Sequence, residues 1–352
     1  MLILDNIIFS LQKAGGISIV WENIIKGVLN NGIECRFIEH GETENIFRNE
    51  LDIPPESVIM ENLGFHKYRR YIDPGIKHIL DPFIFHSSYY RTAKNRNAIN
   101  ITTVHDFTYD YFSSGLAKQV HCRQKYKAIC NSDVIVCISE NTKKDLLHFV
   151  PEVRKKDIRI IYNGVSDEYH PVMNGNKEFE DCILYVGARN GYKRFDYAVD
   201  AIKDTNYRLL ICGNDLTENE RRMLDAKLGR GKYILKIRPS NAELNVFYNS
   251  VFCLFYPSEY EGFGIPVLEA QKAGCPVIAF NSSSIPEVIG DTPLLLSSYS
   301  EREFLSKINI LNDAGARQNV ITSGIENSKR FSWEKMSREY ISLYNELINK
   351  SH

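Results

Sequence analysis

VFCLFYPSEYEGFGIPVLEAQKAGCPVIAF (251–280) is an apolar run, a glycine-rich turn, a helix and a second apolar run, in that order. Pro257 closes the first run. Gly262 and Gly264 permit a sharp turn, and Pro266 falls at the first helical position, where a missing N–H costs nothing. Gly274 stops the helix and PVIAF (276–280) begins the next run. The two runs are continuous rather than alternating, as expected of strands buried on both faces. Two such strands joined through a helix form a parallel crossover unit.

The same rhythm extends in both directions. Upstream lie CILYVG (182–187), a helix over 194–203, YRLLICG (207–213), a helix over 217–228, YILKI (233–237) and a helix over 241–249. Downstream come a helix from Pro286 and LLL (294–296). The N-terminal half repeats the pattern. LILDNIIF (2–9) reads as a strand, Ile17 to Leu29 as an amphipathic helix stopped by Gly32, and IECRFI (33–38), AINITTV (98–104), DVIVCIS (133–139) and IRIIYNGV (158–165) as further strands. ENTKKDLLHF (140–149) is the helix after the third of these. Residues 166–180 are polar, without period, and hold a proline and a glycine, so they read as a linker. The fold class is therefore α/β: two Rossmann-like, doubly wound parallel-sheet domains, 1–165 and 181–330, whose strand C-termini line a ligand cleft.

A length of 352 residues suits two domains. With 43 basic and 44 acidic side chains, no global charge calls for a nucleic acid. The eight cysteines are scattered, never as Cys-x-x-Cys, and several sit inside apolar runs; they read as reduced thiols. No apolar run is long enough to span a bilayer and no signal-peptide pattern is visible, which predicts a cytoplasmic protein.

Five loops carry candidate chemistry. In SEYEGFGIPVLEA (258–270), Glu261 and Glu269 stand eight positions apart around a helix N-terminus suited to phosphate, one carboxylate for sugar hydroxyls and the other for a ribose. Gly15 and Gly16 occupy the first strand-to-helix loop, where the Gly16 amide would be a donor. His105 ends a strand, with Asp106 beside it as a candidate orienting group. Arg189, Lys193 and Arg194 in VGARNGYKRFD (186–196) would neutralise a diphosphate. Ser284 belongs to a serine-rich loop before Pro286. No Asp-x-Asp after a strand, His-Glu-x-x-His or Gly-x-Ser-x-Gly is present, so neither a bound metal nor an acyl-transfer triad is expected.

Taken in order, VHD (104–106), ISENTKKDL (138–146), IIYNGV (160–165), VGARNGYKRFD, YPSEYEGFGIPVLEA (256–270), GCPVIAF (274–280), SSSIPEVIGD (282–291) and FSWEKMSREYISLYNEL (331–347) resemble the family 4 retaining glycosyltransferases of GT-B fold along nearly the whole chain. The resemblance implies that Gly16 donates its amide to the donor diphosphate and that His105 contacts the transferred sugar. It implies that Lys193 and Arg189 bind the diphosphate, that Glu261 with the amides of Phe263, Gly264 and Ile265 holds the sugar hydroxyls, that Glu269 holds the ribose and that Ser284 approaches the nucleotide. Ala188 stands where the family commonly has arginine, with Arg189 one position later. The resemblance also implies that residues 331–352 cross back as a helix onto the N-terminal domain.

The function expected is transfer of a hexose, of mannose or glucose type, from a GDP- or UDP-sugar to a glycan or lipid-linked hydroxyl, without cofactor or metal, in surface polysaccharide synthesis. A silent sugar-nucleotide binder and a nucleotide-sugar epimerase of the same fold are the alternatives. Residues 62–130 hold eleven Lys/Arg and four Asp among Phe65, Tyr68, Tyr71, Phe83, Phe85, Tyr89 and Tyr90, which suggests a surface for an anionic membrane or a lipid pyrophosphate.

Overall fold

The computed structural model describes residues 1–61, 70–76, 79–173, 175–189 and 191–350. The chain divides into two compact units, Met1–Gly164 with Ser332–His352, and Val165–Phe331.

In the first unit, the described residues form one parallel sheet from β1 (Leu2–Asp5), β2 (Cys35–Glu39), β3 (Val58–Met60), β4 (Phe83–Ser87), β5 (Ala98–Val104), β6 (Val134–Cys137) and β7 (Asp157–Ile160), in the order β3-β2-β1-β4-β5-β6-β7. The order reverses beside β1, so the loop after β1 opens at the switch point, where ligands of such sheets bind. Helices α1 (Ile7–Leu11), α2 (Gly16–Asn30), α3 (Ile46–Asn49), α4 (Thr108–Phe112), α5 (Gly115–Asn131) and α6 (Glu140–Phe149) connect the strands.

The second unit repeats the plan with β8 (Cys182–Val186), β9 (Arg208–Gly213), β10 (Tyr233–Ile237), β11 (Cys253–Tyr256), β12 (Val277–Phe280) and β13 (Leu295–Leu296), ordered β10-β9-β8-β11-β12-β13 and again parallel. Its helices are α7 (Phe195–Ile202), α8 (Glu218–Lys227), α9 (Asn241–Ser250), α10 (Ile265–Lys272), α11 (Ile285–Ile289), α12 (Glu301–Asn312) and α13 (Ala314–Ser328). Capping boxes at Thr217/Glu220 and Ser240/Glu243 start α8 and α9.

The last helix, α14 (Trp333–Lys350), belongs to the first unit and lies against α2. A Cβ on Gly27 would meet Ser337 Oγ at 1.7 Å and Ser337 Cβ at 3.0 Å, so any larger residue would force the Ser337 side chain to turn. Tyr344 and Tyr340 reach the sheet: Tyr344 Oη is 2.7 Å from His86 Nδ1, His86 Nε2 is 2.9 Å from Thr103 Oγ1, and Tyr340 Oη is 3.0 Å from Thr103 Oγ1. Burial lowers the His86 pKa to about 3, so this chain of hydrogen bonds is neutral.

Three expectations gain detail. The run LILDNIIF is a strand only to Asp5; Ile7, Ile8 and Phe9 are buried on the short helix α1, and a buried helix looks like a buried strand over so few residues. The stretch 166–180, read as a linker, is mostly exposed among its described residues yet tied to the second unit at several points. Asn245, Asn249 and Ser250 of α9 accept hydrogen bonds from the backbone amides of His170, Val172 and Asn176, and Tyr169 and Phe179 are buried. Thirdly, Phe83, Phe85 and Tyr90 are core residues, not surface aromatics, while Phe65 and Tyr68 lie outside the described residues. Two of the basic residues are also interior, Arg91 with Asp5 and Glu61, and Lys125 with Asp110. No helix among the described residues is long and apolar enough to cross a membrane.

Candidate functional site

In the second unit, the loops after the paired strands β8 and β11 hold a hydrogen-bonded polar cluster. Lys193 ends a single 3-10 turn (Gly191–Lys193), and its Nζ donates to Glu261 Oε1 at 2.5 Å. The Tyr256 hydroxyl also bonds Glu261. The ammonium lies 5.5 and 5.7 Å from the ring centroids of Tyr192 and Tyr256, and the Lys193 and Glu261 side chains are only 17% and 11% exposed. The loops are tied a second time where the Glu259 amide donates to Tyr192 O at 2.8 Å and Arg194 pairs with Glu259 at 2.6 Å. Lys193 is thus a held cation whose ammonium an arriving polyanion would share with Glu261.

The serine loop fixes the Glu261 turn from beneath. Ser282 Oγ donates to Ser258 O at 3.0 Å, and Ser283 Oγ accepts from the Glu261 amide at 2.9 Å. Ser284 Oγ donates to Glu261 O at 2.9 Å and Phe263 O at 2.8 Å. Ser284 is fully buried and its hydroxyl donates to these carbonyls, which positions the turn. Ser283, missed in the sequence, adopts φ +48 to reach its partner. The turn leads through buried Phe263 to Gly264 at φ +105, and α10 then presents its N-terminal end at Ile265. A helix N-terminus favours anions.

Glu269 lies further along α10. Tyr248 Oη donates to Glu269 Oε2 at 3.0 Å, and the Tyr169 hydroxyl bonds the same carboxylate as well as Asn241 Oδ1 at 3.1 Å. Burial pushes the Glu269 carboxyl up to about 7 against the pull of those two hydroxyls. Neither tyrosine was marked by the sequence: Tyr169 came from the presumed linker and Tyr248 from a helix read only as a connector.

Arg189, expected to bind the diphosphate, is engaged within the second unit. Its Nε and Nη2 bind Glu220 at 2.7 and 3.3 Å, while Nη1 and Nη2 donate to Asn214 O and Asp215 O at 3.0 and 2.7 Å. With its side chain 6% exposed, the guanidinium braces the loop between β9 and α8, and its donors are used in the fold.

The first unit holds Gly15, Gly16 and His105. Gly15 caps α2 and Gly16 is its exposed first residue, where an added Cβ would meet nothing within 4 Å. Asn45 steadies the preceding loop, its Nδ2 donating to Gln12 O at 2.7 Å and Ser18 Oγ at 3.0 Å. His105 follows β5 and burial lowers its pKa to about 4, so the imidazole is neutral near pH 7 and can donate and accept. Asp106 lies beside it, and its charge favours the protonated ring. Its Oδ1 accepts from the Thr108 amide at 2.8 Å and turns the chain into α4. Among the described residues, no group of three or more His, Cys, Asp or Glu is gathered as for a metal ion.

The family model for glycosyl transferases group 1 matches residues 167–327, and that for glycosyltransferase family 4 matches residues 14–169. The Salmonella typhimurium O-antigen chain mannosyltransferase RfbU is 30% identical over 225 residues, 62% of this chain and 63% of that protein. The chain spans less than two thirds of the length of the first curated relatives it matches. A sucrose-phosphate synthase from Thermosynechococcus elongatus superposes with TM-score 0.79 over 99% of both chains at 18% identity. Anabaena HepE, solved with UDP and glucose, superposes with TM-score 0.71 over 98% of this chain and 99% of that one at 12% identity. These likenesses establish the GT-B architecture.

Proposed function

The chain belongs to the family 4, group 1 glycosyltransferases, and from that premise we propose that it is a retaining hexosyltransferase. It moves a hexose from a nucleotide-diphosphate sugar to a hydroxyl of a glycan or lipid-linked acceptor. The observation that carries this reading is the Lys193–Glu261 pair, 2.5 Å apart at the turn into α10, with the Glu269 carboxylate further along the same helix.

In the proposed reaction the anomeric C–O bond to the diphosphate breaks and the acceptor oxygen attacks from the same face. The acceptor proton passes to the departing phosphate oxygen. Negative charge grows on that oxygen, and fixed donors stabilise it best where water is scarce. Lys193 and the α10 N-terminus are those donors in the second unit, and the Gly16 amide in the first. Glu261 accepts from the sugar hydroxyls and holds Lys193 in place. It is a positioning group, not a nucleophile. Neutral His105 contacts the sugar, and Glu269 receives the ribose hydroxyls. No metal is assigned a step.

GDP-mannose is our first choice of donor, its mannosyl group supported by the activity named for the Salmonella relative; a UDP-hexose is the second. The same name supports a role in surface polysaccharide assembly. A thermal-shift panel of GDP-, UDP- and ADP-sugars and their free diphosphates, run without added metal, tests the donor half. One nucleotide class should raise the melting temperature by mass action. Absence of any shift, with the acceptor present as well, would overturn the donor assignment.

Gly16→Val gives a sharper test. The position is exposed and open, so the melting temperature should stay within about 2 °C of the parent. Donor affinity should fall by about tenfold or more, because the new side chain occupies the approach to the amide. Unchanged affinity would remove Gly16 from the site.

A further inference from the structure

Residues 274–276 lead into β12 and residues 290–294 into β13, so both segments sit at the edge of the second sheet opposite the Lys193–Glu261 loops. Helix α13 passes beside them. At Gly324 it comes close to α10, where an added Cβ would meet Gln271 Cγ at 3.2 Å. Gln271 ties three helices together. Its Nε2 donates to Ile289 O at the end of α11 at 2.8 Å, and its Oε1 accepts from Asn327 Nδ2 of α13 at 2.8 Å. N-terminal to Gly324, an open pocket of about 300 Å³ separates α13 from the 275–277 strand entry and from the 289–293 segment.

Asn319, Val320 and Ser323 recur at steps of one and three residues, which puts them on one side of α13, along the pocket. Asp291 and Thr292 line it from the other segment. Among the described residues, the side chains of Asp291, Asn319 and Ser323 make no hydrogen bond or ion pair, so their polar atoms are uncommitted. The Thr292 hydroxyl accepts from the Leu294 amide at 3.3 Å and keeps its own proton to donate. Val277, Ile289, Pro293 and Val320 supply an apolar wall. This polar set selects a ligand class. It holds a carboxylate and no Lys or Arg, which turns anions away. An ammonium would pair with Asp291 but offers no acceptor to the Asn319 amide. Groups that donate and accept at once match all four polar side chains, and those groups are hydroxyls. A pyranose carries several of them around a ring whose C–H face suits the apolar wall, and the space is at the lower end of what small-ligand pockets offer.

We propose that this pocket is a second carbohydrate site, which takes a neutral pyranose at the edge of the second unit away from the donor loops. Asp291 accepts from ring hydroxyls there, and Asn319 and Ser323 exchange hydrogen bonds with their neighbours on the ring. The site is independent of the donor reading. The test is saturation-transfer NMR of the full chain with mannose, glucose and N-acetylglucosamine, alongside glycerol, putrescine and inorganic phosphate. At least one of the three sugars should bind in the millimolar range, and neither putrescine nor phosphate should displace it. Asp291→Ala and Asn319→Ala should each weaken that binding at least about fivefold. Ser323→Trp should abolish it by filling the pocket. All three positions are exposed, so the variants should keep the parent melting temperature and turnover.

Absence of binding by all three sugars would overturn the proposal. So would sugar binding that the three variants leave unchanged, which would put the sugar elsewhere on the chain. Displacement of the sugar by putrescine would make Asp291 the centre of a cation site instead. Equal signals from glycerol and the sugars would reduce the pocket to a groove that does not select a ring.

Discussion

Lys193→Ala and Glu261→Ala should each lower turnover by about tenfold or more. The physical difficulty is that the two side chains hold each other, so either variant also leaves a largely buried charge without its partner. At 17% and 11% exposure, that loss costs about 3 kcal/mol in the manner of broken buried pairs. A fall in activity alone would not tell chemistry from misfolding. The double variant Lys193→Met/Glu261→Gln separates them. It removes both charges at nearly constant volume, a change that buried pairs commonly tolerate. The melting temperature should drop in each single variant and return close to the parent in the double one. Turnover should stay low in all three: Lys193→Ala and the double variant remove the lysine that faces the leaving diphosphate, and Glu261→Ala removes the acceptor that holds that lysine and the sugar hydroxyls. Recovery of turnover together with stability would make the pair a structural brace, and near-parental rates in both single variants would take it out of the site altogether.

That pair was legible because a parallel α/β sheet sends its loops to one edge. Once β8 and β11 are read as strands, the loops after them have to open on the same side. Continuous apolar runs such as CILYV and VIAF are legible for a related reason, since covering both faces of a strand leaves no room for alternation. Direction was what the residue types did not carry. A serine before a helix can point at a ligand or at its own backbone, and Ser284 Oγ bonds the carbonyls of Glu261 and Phe263. Arg189 turns toward Glu220, 31 residues on, which no local pattern announces. Tyr169 reaches Glu269 across a hundred residues of chain, from a stretch whose polar composition resembled a tether. The aromatic residues Phe83 and Phe85 misled through composition, because a core strand between basic segments has the same letters as an amphiphilic surface.

Burial gives Glu269 a dependence on pH, against the pull of two tyrosine hydroxyls. The carboxylate faces the hydroxyls of Tyr248 and Tyr169, lies within electrostatic reach of Tyr256, and has no cation among the groups that set its ionisation. Its pKa is raised from 4.5 to about 7. A carboxyl raised in this way binds more protons in the folded than in the unfolded chain between those two values. Stability is therefore fullest below about 4.5, falls as the pH rises toward 7, and reaches its floor above that. The loss is on the order of 3 kcal/mol at about 1.4 kcal/mol per unit. Glu269→Gln keeps an acceptor for both tyrosines and abolishes the ionisation. Its melting temperature should match the parent near pH 5 and exceed it by several degrees near pH 8. Donor binding should move the opposite way. The ionised carboxylate accepts two ribose hydroxyls, so parental affinity should climb as the pH passes 7 and then level off. The glutamine variant should bind about tenfold or more weaker at pH 8, with a flat profile. Tyr248→Phe, which withdraws one donor from the ionised form, should shift the midpoint of the parental profile to higher pH. A variant at Glu269 that gained stability yet kept the parental affinity and its slope would place the ribose elsewhere and leave this carboxylate a purely structural cost.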